Sequence, residues 1–546
     1  MINIDKINAP LGLEHSNSNH APKQKITSFQ GGFYGAATNL FRTLDTNPMA
    51  NAVGIDLFAM VGPRTYVDTK ERNKYAGAET FFREFTGTLI VCLSASYLAK
   101  GIARLGNKLI KPEIHINPES WFSNDSIAFL QQAWEKSKNT QGYVTNILDV
   151  ISGRDGKEIR HFKDISWKDI EWLDEDKWTD YNWDNLKYKN IHQHLKDKQS
   201  IISAIGNLID DKKVTKSDRK KLLDIIQVRL TNALKSDKIS AEIDGKKLSS
   251  SLHNLLRDGV DLGKDVFTNT KINPPDAIEK IIKVNKIKGT GALLAASGLG
   301  LTNQSINRKI TEKRTGTKGF VGDTNYRNQI RDKKSTKDKS KKFLAEKVTA
   351  SIGMAAMAAA VMKVKSPKDF MKKLEFTGPV TSGNAIKTVY ASTLIGRFLA
   401  SDNEDELAET VTRDYLGFLN WLVFGGFAAK GAANLLDRKQ ENLFNISGNT
   451  KGVKNWLNNL TLKSHNELAS KGAVFAGNNM WKLNLAHAAG LIYSTAALGI
   501  FLPKLNIFIN KKRTQNRSYA QQAVQTPTDK RSKQDISFED AEKSKK

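Results

Sequence analysis

The chain has 546 residues, and its 84 Lys and Arg against 57 Asp and Glu give a formal net charge of +27. That length predicts roughly two to four folding units. A mean hydropathy of −0.45 excludes a transporter with most of its mass in lipid. The single cysteine, Cys92, excludes an internal disulfide, and we expect it to pack as a small apolar side chain.

The first segment, residues 1–25, is polar and contains two prolines. It has no apolar stretch of the kind that a secretory signal peptide needs, so we expect a disordered tail and no signal peptide. The glycine-rich stretch Ile26–Phe41 is either a close-packed helix or a loop that packs its aromatic rings. The uncharged run Phe85–Ala99 is shorter than the ~20 residues of an unaided membrane span, and we interpret it as either a span or a buried helix.

From residue 111 the sequence becomes charged and rich in tryptophan, which predicts a soluble helical domain over 111–275. The rings are interpreted as a recognition surface or as core, and core is favoured because large rings are mostly buried. An apolar stripe in 200–234 predicts a hairpin of two helices, the second capped by Thr215 or Ser217. The tryptophans of this domain are Trp121, Trp134, Trp167, Trp172, Trp178 and Trp183.

The next segment, 276–307, is predicted to be an apolar helix with small residues suited to close packing, among them Gly291, Ala296 and Gly300. Its Gly-Thr-Gly lacks the third glycine of a dinucleotide-binding fingerprint, so no nucleotide site is expected. Residues 308–347 are basic and aperiodic. We expect a flexible linker, either solvated or in contact with phosphates or lipid headgroups.

The most apolar part of the chain is 348–513, a predicted helical membrane region. Leu483–Pro503 is uncharged and long enough to cross a bilayer core. Its small residues recur at one-turn spacing, which favours close approach of a second helix. Tyr415–Leu436 is the second candidate span. Val348–Met362 is rich in alanine and therefore a strong helix former but a weak membrane inserter.

The distribution of charge around these segments conflicts with a simple topology. The acidic stretch Ser401–Thr410 is expected away from the cytoplasm and the basic stretch Asp437–Lys482 within it. Leu483–Pro503 would then deliver the basic C-terminal tail to the non-cytoplasmic side. We therefore expect some of the apolar segments to be core, interfacial or re-entrant helices.

The sequence contains no zinc-protease, phosphate-loop, nucleophile-elbow or Cys-x-x-Cys motif. His192 and His194 form an isolated His-x-His and are interpreted as exposed helix side chains, since no second ligand cluster lies nearby. We accordingly predict no catalytic, cofactor-binding or metal-ligating residues, no cofactor and no enzymatic activity.

Together these patterns predict a mainly α protein with a soluble helical central domain and several Gly/Ala-rich apolar helices, some of them transmembrane. The expected role is structural, scaffolding or assembly work in a membrane of bacterial type, the cytoplasmic membrane. Expected partners are the lipid bilayer with its anionic headgroups and further copies of the chain through Gly/Ala faces. Alternatives are a secreted protein that inserts into membranes, or a soluble basic nucleic-acid-binding protein, which the absence of an aromatic–basic motif disfavours.

The predicted segments are a disordered tail (1–25), an N-terminal apolar helical region (26–110), a tryptophan-rich domain (111–275), an apolar helix (276–307), a basic linker (308–347), an apolar helical membrane region (348–513) and a second disordered tail (514–546).

Overall fold

The computed structural model confirms a mainly helical protein. It describes residues 33–109, 122–155, 158–166, 195, 197–210, 214–315, 340–375, 382–402, 404–469, 471, 473–509 and 512. Both predicted tails, five of the six tryptophans of the central domain, and His192 and His194 lie outside the described residues.

The helices are numbered here in chain order. They are α1 (Phe33–Thr46), α2 (Pro48–Ile55), α3 (Gly62–Glu71), α4 (Lys74–Thr88), α5 (Ala95–Leu109), α6 (Asn124–Glu135), α7 (Thr140–Asp149), α8 (Lys198–Asp210), α9 (Lys216–Leu234), α10 (Leu252–Leu262), α11 (Pro274–Thr315), α12 (Lys341–Val361), α13 (Pro367–Lys373), α14 (Gly383–Ala400), α15 (Glu404–Leu419), α16 (Gly425–Leu436), α17 (Val453–Asn459), α18 (His465–Ala469) and α19 (Ala473–Ser494).

Several helices continue into one another through a π-helical turn. Such turns join α2 to α3, α4 to α5, and α15 to α16, and another extends α19. As a result, the chain forms continuous helical rods over Lys74–Gly106 and Val474–Ile509.

The central domain contains a sheet that the sequence analysis did not predict. Its four antiparallel strands are arranged in the order β2-β1-β3-β4. The strand bounds are β1 Ile151–Asp155, β2 Glu158–His161, β3 Lys238–Ile243 and β4 Lys246–Ser251. The expectation of a purely helical domain is therefore corrected. The strands have only four to six residues, which is too short for a pattern that stands out among helices.

The β3–β4 hairpin has clear local causes. In β3 the side chains of Ile239, Ala241 and Ile243 are buried while their neighbours face solvent, which is the period-two pattern of a half-buried strand. The turn is Asp244-Gly245, and both residues have positive φ, 44° and 76°. This is the combination that a tight hairpin turn requires and that Asp-Gly supplies.

The predicted helical hairpin of the domain is confirmed as α8 and α9. Thr215 caps α9, since its hydroxyl accepts a hydrogen bond from the backbone N–H of Asp218. Trp134, the one described tryptophan of the domain, packs against the rings of Tyr143 and Phe267. These rings belong to or border one apolar core that unites α6–α10 with the sheet, so for Trp134 the core interpretation is the better one.

Helix α11 links the domain to the rest of the molecule. Its first turns place Ala277, Ile278 and Ile281 in the core of the domain. Farther along, Ala292 and Ala296 belong to a second apolar core, shared with α5, α12 and α14. The predicted boundary at Asn273-Pro274-Pro275 thus marks the start of a helix of 42 residues, not a flexible junction.

Around this helix the chain forms a bundle, defined here as α2–α5, α11 beyond residue 282, α12, α14–α16 and α19. Contacts fix the helix directions. Thr86 meets Asn303 and Gly106 packs beside Val284, so α4–α5 runs antiparallel to α11. Helices α12 and α14 are likewise antiparallel, because Lys347 donates to the Leu399 carbonyl while Thr388 meets Met362 at the other end.

Small residues permit the closest helix contacts of the bundle. The Cβ that a side chain would add at Gly396 falls 2.4 Å from the carbonyl oxygen of Leu301, so α11 and α14 touch backbone to backbone. At Gly490 an added Cβ falls 3.0 Å from the carbonyl oxygen of Gly425. The predicted small faces of 276–307 and of Leu483–Pro503 therefore serve packing within the chain, and self-association through such faces stays a prediction.

Two other expectations are settled by the helix bounds. The described part of Ile26–Phe41 is helical from Phe33 onward, in agreement with the helix alternative. Residues 308–315, assigned to the basic linker, are the last turns of α11, and 341–347 begin α12. Because Lys and Arg are good helix formers, their presence did not mark an end of regular structure.

Candidate functional site

Three helical segments of the described chain are long and apolar enough to cross a membrane. They are Lys74–Gly106, Lys341–Val361 and Val474–Ile509. The third contains Leu483–Pro503, the leading candidate from the sequence. Tyr415–Leu436, the second candidate, is not among the three, whereas the alanine-rich Lys341–Val361 is.

Most of the apolar surface of these segments does not face protein. In α12, Leu344, Val348 and Ile352 recur every four residues and form one exposed stripe; Ile352 is 65% exposed. Helix α11 exposes Leu294 (69%), and α19 exposes Ile492 (68%). Contiguous exposed apolar faces of this extent are typical of surfaces that meet lipid or another protein.

The interior of the same bundle is charged at one end. Glu84 of α4 is the centre of a buried ion network, and its two carboxylate oxygens face three guanidinium groups. The oxygens lie 3.4 Å from Arg64, 3.2 Å from Arg83 and 3.3 Å from Arg397. Each of these four side chains is at most 7% exposed.

The network continues into α15. Arg397 also reaches Asp414 at 3.2 Å, and Asp414 accepts a second hydrogen bond, 2.9 Å long, from Arg413. A further pair joins Arg72 to Glu409 at 2.7 Å. Helices α3, α4, α14 and α15 are therefore tied together by ions that are shielded from water, where each cation has a carboxylate partner.

These ions gather where the helices reach the end of the bundle opposite the central domain, which we call the far end. Near them Arg308, in the last turns of α11, pairs with Asp402 at 2.7 Å and also with Glu406. Asn506, late in the Val474–Ile509 rod, donates to the carbonyl of Glu409. The domain lies at the other end, where Lys372 of α13 pairs with Asp125 at 2.7 Å.

Some polar atoms of the ion network are left without a hydrogen-bond partner among the described residues. Nε of Arg397, Oδ2 of Asp414 and Oε2 of Glu409 are buried and have no hydrogen-bond partner among the described residues. Buried polar atoms of this kind commonly hold ordered water. The arrangement can therefore stabilise a polar, partly hydrated centre between apolar helices.

The sequence analysis missed this network, although two local signals exist. Arg83 and Glu84 directly precede the uncharged run Phe85–Ala99. In α15, Glu406, Glu409 and Arg413 recur at three- and four-residue spacing and so share one helix face. Which partners they meet depends on helix contacts more than 300 residues apart in sequence, as between Glu84 and Arg397.

A cavity of about 420 Å³ lies where the domain meets the bundle. Most of its wall is apolar, including Phe122, Leu293 and Phe370, and Lys288 and Glu375 also line it. Such a lining suits an apolar group better than a polar substrate.

No catalytic or ligand-binding residues were predicted from the sequence, so there are none to place. Cys92 lies fully buried within the bundle core, as expected of a packing residue.

One group of metal-ligating side chains does converge in the described part of the chain. The ligand atoms of Asp45, His465 and His487 all lie within 4.8 Å of one another.

No family model, curated protein or solved structure matches the chain. Evidence about its function therefore comes from its own residues and their arrangement.

Proposed function

We propose that this chain is a multi-pass membrane protein with a structural or assembly role, which holds the domain of residues 122–282 at one face of a bilayer. The observation that carries the proposal is the distribution of polarity in the bundle. Many of its large apolar side chains point outward, while buried ions pair in an interior that also holds an apolar core. Both features are favourable in a bilayer. Lipid solvates the exposed apolar faces, and charged side chains within the membrane are stabilised by pairing in the protein interior.

The direction of each helix supports a complete set of crossings. Lys74–Gly106 and Lys341–Val361 both run from the far end to the domain end, so α11 must return the chain between them. Helix α14 then runs from the domain end to the far end, and α15–α16 returns to the domain end. Val474–Ile509 finally runs to the far end. With α2–α3 leading to the far end, the chain would cross seven times, and its C-terminal tail would leave at the end opposite the domain.

This arrangement places the acidic stretch Ser401–Thr410 and the basic tail on the same side, as the sequence analysis found. In this proposal Asp402 and Glu406 are bound by Arg308, so they do not act as free negative charge at the far end. The Lys- and Arg-rich connection between α11 and α12 favours the far end as the cytoplasmic side. The basic stretch Asp437–Lys482 then lies on the other side, against the expectation from the same rule.

The first experiment is alkaline carbonate extraction of membranes from expressing cells. We expect the full chain to stay in the stripped membrane pellet. A protein that purifies without detergent and only later enters liposomes would support the alternative of a conditionally inserting protein. A protein that stays soluble throughout contradicts the proposal and turns attention to the basic charge.

The second experiment measures sidedness with a membrane-impermeant thiol reagent, using a Cys92→Ala background with no other cysteine. Lys342→Cys reports the far end and Lys247→Cys reports the domain; both lysine side chains are more than 70% exposed. We expect the reagent to label one site only in intact cells and the other only in inverted vesicles. Labelling of both sites from one side contradicts the crossing pattern.

A further inference from the structure

Asp45, His465 and His487 meet at the domain end of the bundle, far from the ion network. Asp45 lies in the last turn of α1, His465 begins α18, and His487 lies within α19. Asp45 and His465 are 420 residues apart in sequence. The His465 side chain is fully buried and Asp45 is 20% exposed. Three separate elements thus bring two imidazoles and one carboxylate together.

His465 is surrounded by oxygen acceptors. Its Nδ1 lies 3.0 Å from Oδ2 of Asp45, and its Nε2 lies 2.9 Å from Oδ1 of Asn484. The amide nitrogen of Asn484 donates to the hydroxyl of Thr38, which fixes Oδ1 toward the ring. A neutral imidazole has one N–H. With that proton given to Asn484, the lone pair of Nδ1 faces a carboxylate oxygen, and either a second proton or a metal ion can lie between the two atoms.

Asp45 is held in place for this role. The oxygen that faces the ring also accepts the backbone N–H of His465 at 2.9 Å. A carboxylate oxygen held in this way can ligate a metal ion.

His487 supplies a free ligand atom. Its Nε2 is buried and has no hydrogen-bond partner among the described residues. The ring lies 5.3 Å from that of His465 and 6.4 Å from that of Phe41, measured between centroids. A buried, unpaired ring nitrogen is costly unless something occupies it.

We propose that Asp45, His465 and His487 bind a divalent transition-metal ion of the zinc class. Two imidazole nitrogens and a carboxylate oxygen suit Zn²⁺, Co²⁺ or Fe²⁺, whereas Mg²⁺ and Ca²⁺ prefer sites made of oxygen alone. The 3.0 Å between Nδ1 and Oδ2 is near the roughly 3.3 Å expected for two ligands of one tetrahedral zinc ion. Asn484 would orient His465 from behind, as the outer partner of a metal-bound histidine does.

Bound metal would join α1 and α18 to α19. Three protein ligands leave a coordination position open, which water or a partner's side chain can fill. The inference does not depend on the proposed function, because the three residues meet whether or not the bundle lies in lipid.

The test is zinc content after equilibrium dialysis of the purified full-length chain against Zn²⁺, measured by mass spectrometry. We expect the wild type to retain zinc in a one-to-one ratio. His487→Ala and the isosteric Asp45→Asn should each bind at least about tenfold more weakly, and Asn484→Ala about 10–100-fold more weakly. His253→Ala is the control, because His253 lies on α10 in the domain with 39% of its side chain exposed.

Cobalt gives a second readout that misfolding alone does not imitate. Substituted for zinc, Co²⁺ in a site of low coordination number absorbs visible light, and we expect this band in the wild type and in His253→Ala but not in His487→Ala. Equal zinc binding by the wild type and His487→Ala would overturn the proposal, as would a wild type that retains no zinc. In either case the three residues form only a hydrogen-bonded contact.

Discussion

The central domain and the bundle distribute polar and apolar side chains in opposite ways. The core of the domain is mainly apolar, although Asp258 and Lys280 are also buried there, and Ile159 is the one large apolar side chain that its described residues expose. In the bundle, α11, α12 and α19 expose many such side chains while Glu84, Arg397 and Asp414 are buried. The surface of the domain is typical of a protein in water, whereas the bundle exposes apolar faces of the kind that meet lipid or another protein.

The largest effect should come from breaking the ion network. Arg397→Leu leaves Glu84 and Asp414 without their shared partner, and an uncompensated buried charge costs about 3–5 kcal/mol. We expect a clear fall in the thermal midpoint of the bundle in detergent. Lys313→Leu, which removes an exposed cation near the same end, is the control. Equal midpoints for the two variants would show that the network does not stabilise the bundle.

The domain should respond most to the loss of apolar volume. Leu255 of α10 is fully buried in its core, and Leu255→Ala should lower the free energy of unfolding by about 3 kcal/mol through lost burial and a residual cavity. Urea unfolding followed by the fluorescence of Trp134 and its neighbours measures this change. Ile159→Ala, at the exposed position in β2, should change it by no more than about 0.5 kcal/mol. A similar cost at both positions would mean that the face of β2 is covered.

The smallest effect is expected on the outer face of the bundle. Ile352→Ser should shift stability in detergent by no more than about 0.5 kcal/mol, because the residue is 65% exposed and loses little packing. Met354, two residues away on α12, is fully buried, and Met354→Ser should cost several times more. If Ile352→Ser were as harmful as Met354→Ser, a protein surface rather than lipid or detergent would cover that face.

The sequence predicted the helical character of the chain because helix-forming periods are long and redundant. The α8–α9 hairpin and the start of α11 were located through an apolar stripe and a proline pair. The sheet was missed because its strands are short, although Asp244-Gly245 between alternating residues is a usable hairpin signal.

The candidate sites were harder to predict for a different reason. Glu84 and Arg397, like Asp45 and His465, belong to helices that are distant in sequence, so no local spacing marks them. His487 is the one histidine of the uncharged run Leu483–Pro503, but its partners become visible only when α1 and α18 pack against α19. A single sequence carries the side chains of such a site without recording which of them meet.

Helix α11 has a mechanical consequence. With 42 residues it is a rod about 63 Å long, fixed at one end in the core of the domain and at the other by Arg308 to Asp402. Because one continuous helix joins the two parts, a tilt of the domain would move the opposite end of α11 as well. The pair between Arg308 and Asp402 would then resist that tilt.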